Sequence, residues 1–143
     1  MKVSEVMTRE VRTVRPDQTA QEAASFMLSE DTGSMPVSDG EQLLGMITDR
    51  DIAVRGVAKG YGPDTRVSEL MTNDVVCARD DDDVEDVATK MSQAQVRRMP
   101  ILDSSEKLCG IVSLGDLSRE ADPDSADQAL QGVSAPGSQH SQG

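Results

Sequence analysis

Thr48 is followed three residues later by Asp51, and Ser113 is followed at the same distance by Asp116. Both pairs lie in one pattern, Gly45-Met46-Ile47-Thr48-Asp49-Arg50-Asp51-Ile52 and Gly110-Ile111-Val112-Ser113-Leu114-Gly115-Asp116-Leu117. A glycine and two apolar residues lead to a hydroxyl, then to two variable residues, an aspartate, and Ile or Leu. This reads as a strand that ends where a helix begins. A hydroxyl at that junction stands among unpaired backbone amides, where the helix dipole favours an anion, so a phosphate can be held. The aspartate lies one helical turn on, on the same side. Its carboxylate is an acceptor that can take both hydroxyls of a ribose. The same two residue types also make an ordinary helix cap with dipole complementation. A single copy favours the cap, and the recurrence shifts the balance toward a ligand site.

The elements that must position these groups also come twice. Val3-Ser4-Glu5-Val6-Met7-Thr8 returns as Val67-Ser68-Glu69-Leu70-Met71-Thr72, and Met35-Pro36-Val37 returns as Met99-Pro100-Ile101. Two copies at this long period indicate a duplicated fold with pseudo-twofold symmetry rather than a solenoid. Each copy reads as turn-β-α-β-β-α, an α/β (α+β) arrangement. In the first, Val3–Met7 is the lead-in turn and Val11–Val14 a short strand ended by Pro16. Thr19 and Glu22 form a capping box, followed by Ala20, Ala23, Ala24 and Met27 on one helical face. Met35–Ser38 and Leu43–Thr48 are strands joined by a tight turn at Asp39-Gly40, and a helix runs from about Asp49 to Ala58. In the second, Val75–Ala78 is a strand, and Val84, Val87, Ala88 and Met91 mark a helix. Arg98–Leu102 and Leu108–Ser113 are paired strands, and a helix covers Leu114 to about Glu120. The organisation expected is a first repeat over 1–60, a Gly/Pro-bearing linker over 61–66, a second repeat over 67–120 and a tail over 121–143. The tail is poor in large apolar residues and is expected to be disordered.

Composition removes several function classes. At 143 residues, each copy is marginal alone, so the two are expected to share their packing. The formal net charge of −12 repels nucleic acid and anionic lipid. No run is apolar enough to span a membrane and the start carries no signal segment, which places the chain in the cytoplasm. Cys77, Cys109 and His140 are too scattered for a zinc site, and the two thiols read as buried and reduced. Asp80 to Asp83 cannot all face one ion, lack the calcium-loop glycine, and precede a helix that their charge favours. No nucleophile stands beside a base, so no reaction is expected. With one Phe, one Tyr and no Trp, a bound base would lie between aliphatic side chains unless Phe26 or Tyr61 stacks on it.

The paired junctions, the Met-Pro strands and the Val-Ser-Glu-x-Met-Thr lead-ins together resemble a tandem pair of CBS (cystathionine β-synthase) domains, a Bateman module. The resemblance runs from Lys2 to about Glu120. The segment Gly45–Gly60 with Pro63-Asp64-Thr65 is similar to that of small stand-alone bacterial members. The resemblance implies two clefts between the repeats for adenosine compounds (AMP, ADP, ATP, NAD or S-adenosylmethionine), with no cofactor required. It also implies homodimerisation into a flat disc, and a regulatory output read by a partner protein. Residue by residue, Asp51 and Asp116 match the family's ribose-binding acid, and Thr48 and Ser113 its hydroxyl near ribose or phosphate. Arg97 and Arg98 lie just before Met99-Pro100, where some members place basic residues on phosphate. The first copy has Gly33-Ser34 there, with Arg50 as a partial substitute, so the Arg97/Arg98 side is the better phosphate site. The expected function is a sensor that changes conformation on binding its ligand. The alternative is a structural or interaction module with no small-molecule ligand.

Overall fold

The structure, a computed structural model, describes residues 1–120. The tail over 121–143, with His140, lies outside the described residues. Among the described residues the chain divides into two compact units, one formed by Arg12–Val75 and the other by Met1–Val11 together with residues 76–120.

In the Arg12–Val75 unit the first helix, α1 (Ala20–Glu30), starts at the expected capping box. The Thr19 hydroxyl accepts from the Glu22 amide at 3.2 Å, and the Thr19 amide donates to Glu22 Oε1 at 3.4 Å. Ala20, Ala23 and Met27 face the core, whereas Ala24 is exposed, so the buried stripe is narrower than the sequence suggests. Strand β1 (Ser34–Ser38) runs antiparallel to β2 (Leu43–Thr48), pairing Ser34 with Thr48 and Met35 with Ile47. The turn between them is held by Asp39, whose carboxylate accepts from the Glu41 and Gln42 amides, and by Gly40 at φ +104°. The strand expected over Val11–Val14 is reduced to one parallel bridge, Val14 to Val37. Only Val14 in that stretch is fully buried, and Pro16 has no amide with which to extend the ladder.

The segment from Val67 to Thr72 completes this unit. Val67–Glu69 forms a 3-10 turn, and Val67 and Leu70 are buried with Val14, Ala23, Met35 and Ile47. Thr72 then bridges Met46, the two exchanging backbone hydrogen bonds of 3.0 and 2.8 Å. The chain passes so close that a Cβ on Gly45 would collide with the Thr72 carbonyl. After β2 the helix begins near Asp49 as expected, but widens into a π-helix over Asp51–Gly56 and tightens into a 3-10 turn over Val57–Lys59.

The other unit repeats this plan. Strand β3 (Ala78–Arg79) is parallel to β4 (Arg98–Leu102), which is antiparallel to β5 (Leu108–Ser113). Helix α2 (Val84–Ala94) buries Val84, Val87, Ala88 and Met91, and α3 (Leu114–Glu120) follows β5. The strand expected over Val75–Ala78 is displaced to Ala78–Arg79, because β4 offers ladder partners only to those two residues. Here the flanking segment is the chain's beginning. Val3–Glu5 forms the 3-10 turn, Val3, Val6 and Met7 join the core, and Thr8 bridges Ile111 beside Gly110. Each lead-in therefore completes the unit that carries the other copy's strands. Asp83 occupies the N-cap of α2 without a side-chain cap bond and pairs instead with Lys2 at 3.2 Å. Asp82, not Asp83, satisfies a local amide, that of Arg79. Among the described residues no helix is long and apolar enough to cross a membrane.

Candidate functional site

The two junctions adopt the same geometry. At the end of β2 the Thr48 amide donates to Asp51 Oδ2 at 3.0 Å, and the Asp51 amide donates to Thr48 Oγ1 at 3.0 Å. At the end of β5 the Ser113 amide donates to Asp116 Oδ2 at 2.9 Å, and the Asp116 amide donates to Ser113 Oγ at 3.2 Å. Each hydroxyl and carboxylate thus satisfies the other residue's backbone, a reciprocal cap at the first turn. Each hydroxyl accepts from the aspartate's amide, and the Thr48 hydroxyl also stands within hydrogen-bond reach of the Asp51 carboxylate.

Both aspartates are buried, Asp51 at 5 % and Asp116 at 8 % exposure. Burial pushes the Asp51 carboxyl above the usual carboxylate value; the Thr48 amide and hydroxyl, Arg55 and Arg50 oppose it without reversing it. Arg55 Nε stands 3.7 Å from Asp51 Oδ1, and the same guanidinium donates to the Met71 carbonyl. Arg50 is exposed, directly before the aspartate in the first helical turn.

Arg97 and Arg98 belong to the second junction. Arg98 is the cross-strand partner of Ser113, and the Leu114 amide donates to the Arg97 carbonyl at 3.1 Å. Neither guanidinium forms an ion pair among the described residues. The same framework in the first unit carries other side chains. Ser34 is the partner of Thr48, and the Asp49 amide donates to the Gly33 carbonyl at 2.9 Å. The fold thus gathers Thr48, Arg50 and Asp51 at one junction and Arg97, Arg98, Ser113 and Asp116 at the other.

Two features of the first junction go beyond the residues singled out by spacing. The Asp49 carboxylate lies over Gly33, where an added Cβ would be 2.9 Å from Oδ2. The Ser34 hydroxyl is buried without a hydrogen-bond partner. Aligning the two copies points to both positions, since Gly33 and Ser34 stand opposite Arg97 and Arg98, and Asp49 opposite Leu114.

A cavity of about 330 Å³ lies elsewhere in the Arg12–Val75 unit, lined by residues that include Ala24, Ile52, Val57, Tyr61, Pro63 and Leu70. Neither Thr48 nor Asp51 reaches it. Tyr61 stands at this apolar hollow, and the Phe26 ring is covered by the Arg12 guanidinium, 4.8 Å from its centroid. No group of His, Cys, Asp or Glu able to hold a metal occurs among the described residues. Cys77 and Cys109 are free and half-buried, and burial, with Asp80 and Asp103 nearby, pushes the Cys109 thiol up, away from reactive thiolate.

Comparison with known proteins adds to this geometry. The family model described as CBS domain matches residues 3–56 and again 67–122. The chain is 44 % identical over 133 residues to the CBS domain-containing protein YhcV of Bacillus subtilis, covering 92 % of this chain and 94 % of that one. Among solved structures it is similar to CBSX2 in complex with AMP, a protein of Arabidopsis thaliana, with TM-score 0.73, 26 % identity, and coverage of 82 % of this chain and 93 % of that one. It is similar also to the CBS domain pair of MJ0100 in complex with 5′-methylthioadenosine and S-adenosylmethionine, with TM-score 0.73, 28 % identity, and coverage of 83 % and 94 %.

Proposed function

This chain belongs to the CBS-domain family as a tandem pair, and on that premise we propose that it is a regulatory module that binds an adenosine compound and signals by a change of conformation. The observation that carries the reading is the recurrence of one hydroxyl–carboxylate junction, with closely matching hydrogen bonds, in a fold whose relatives are seen with AMP and with S-adenosylmethionine. Asp51 and Asp116 take the ribose hydroxyls. Thr48 and Ser113 face the sugar-phosphate with their hydroxyls. Arg97 and Arg98 grip phosphate at the second junction, where a planar guanidinium can hold two phosphate oxygens at once. Arg50 is only a partial substitute at the first.

No reaction is assigned. The match to YhcV runs through nearly the whole of both chains. Output follows from differential binding, in which a ligand held better by one conformation raises that conformation's population and a partner protein reads the change. The protein works in the cytoplasm as a homodimer. Exposed Leu28, Val54, Val57 and Tyr61 in the Arg12–Val75 unit supply apolar surface for such association.

A thermal-shift screen with AMP, ADP, ATP, NAD and S-adenosylmethionine tests the reading. A ligand at 100 times its Kd adds about 2.7 kcal/mol of stability. Asp116→Ala is expected to remove most of the shift given by a phosphate-bearing ligand. The reciprocal caps favour a second reading, because they give each hydroxyl and carboxylate a structural use without any ligand. In that case the chain is an interaction module. No shift with any of the five compounds would establish it in place of the sensor, whereas a shift that Asp116→Ala leaves unchanged would overturn the ribose role of Asp116.

A further inference from the structure

The two junctions share a backbone but differ at the strand start. In the second unit Arg97 and Arg98 stand there, and Leu114 follows the hydroxyl. In the first unit the strand start is Gly33-Ser34, and Asp49 follows the hydroxyl. The missing side chain at Gly33 is what lets the Asp49 carboxylate lie over the backbone, with 2.9 Å left to an imagined Cβ. A carboxylate therefore lies over the strand start that carries arginine in the other unit. Arg50 does not restore the balance, since it is flanked in sequence by Asp49 and Asp51. Arg55, the remaining nearby cation, is engaged by Asp51 Oδ1 and the Met71 carbonyl.

A second observation at the same spot concerns Ser34. The residue is 3 % exposed, and its hydroxyl has no hydrogen-bond partner. A buried hydroxyl without a hydrogen-bond partner is destabilising, so its presence asks for a reason. Ser34 lies directly opposite Thr48. Residues so paired have Cβ atoms roughly 5 Å apart, which brings a group bonded to the Thr48 hydroxyl within reach of Ser34 after rotation about a single torsion. An uncharged donor suits a neutral polar atom and cannot balance a phosphate.

We propose that the first junction, formed by Ser34, Thr48, Asp49 and Asp51, takes an adenosine compound without a phosphate, while the second takes the phosphate-bearing one. The inference rests on the adenosine reading above, with the ribose at the aspartate and its 5′ substituent toward the strand start. Asp49 acts there as a charge filter. It repels a 5′-phosphate and tolerates a neutral or cationic 5′ group. Ser34 supplies the hydrogen bond that the ligand completes.

Isothermal titration of the full chain with 5′-methylthioadenosine and with AMP tests this, using Asp116→Ala to silence the second junction. Asp116→Asn, which keeps an acceptor for the Ser113 amide and removes the charge, serves the same purpose should Asp116→Ala fail to fold. In either background 5′-methylthioadenosine is expected to bind and AMP to bind at least about tenfold more weakly. Asp49→Leu, borrowing the residue of the second junction, is expected to raise AMP affinity by about three- to tenfold and to leave 5′-methylthioadenosine within about twofold. Ser34→Ala is expected to weaken 5′-methylthioadenosine while the ligand-free Tm holds or rises, an outcome that loss of a structural contact would not give. Equal affinity for both compounds in the silenced background, or AMP affinity unmoved by Asp49→Leu, overturns the charge filter and leaves the adenosine reading standing. Absence of binding of either compound to the parent chain overturns both.

Discussion

Asp51 is the most constrained ionisable side chain of the first junction, being buried, bonded to the Thr48 amide and placed near a guanidinium. Its carboxyl is raised by burial, so the folded protein holds that proton more tightly than the unfolded chain does. Stability contributed at this site is therefore greatest at low pH and falls as pH rises from the ordinary carboxylate value, 3.8, through the raised one. Asp51→Asn keeps an acceptor for the Thr48 amide and removes the charge. Urea unfolding of parent and variant across pH 3.5 to 7 should show the variant gaining relative stability as pH rises. Glu22 and Asp39, whose carboxyls are lowered by their hydrogen bonds, give the opposite slope in both proteins and cancel in the difference. A difference that stays level with pH would mean that Asp51 pays no burial penalty. At this scale the capped pairs were legible, because spacing alone brings Thr48 to Asp51 and Ser113 to Asp116. The unpaired Ser34 hydroxyl was not legible, since only the packed strand pair shows that nothing meets it.

Elements were legible where their signal is local. The strand pairs at β1–β2 and β4–β5, the tight turn at Asp39-Gly40 and the capping box of α1 all follow from residues within a few positions of one another. Elements defined by a distant partner were not. The strands expected over Val11–Val14 and Val75–Ala78 shrank or moved because their length is set by β1 and β4, not by their own composition. The glycines that open the two junction patterns have a use that periodicity does not reveal. Gly45 and Gly110 leave room for a crossing chain, Thr72 at one and Met7-Thr8 at the other. Gly45→Ala drives a methyl into the Thr72 carbonyl, and chemical denaturation should register a loss of about 1–3 kcal/mol, the usual range for overfilling a packed site. Gly110→Ala should cost less, because the nearest atoms it meets belong to the flexible Met7 side chain. Equal costs, or none, would show that the crossing segments are not held as described.

At the scale of the whole chain, the duplication was plain, but the way the copies share segments was hidden. A repeat in sequence invites the assumption that each copy is a self-contained piece. Backbone bonds and buried side chains say otherwise, since Val67 to Thr72 complete the unit of the first copy's strands and Val3 to Thr8 complete that of the second. A gene cut at the boundaries of the repeat should therefore give poor products. A peptide of residues 1–60 lacks Val67, Leu70 and the strand-like run at Thr72, and is expected to show little cooperative melting by circular dichroism. A peptide of residues 12–75 keeps all of those contacts and should melt as the more ordered of the two. The reverse ranking would contradict the division. If the ranking holds, the smallest heritable module of this architecture is out of phase with its smallest foldable one. Duplicating, swapping or grafting such a module then works only when the cut falls ahead of the first short strand, at the phase of the fold and not of the repeat.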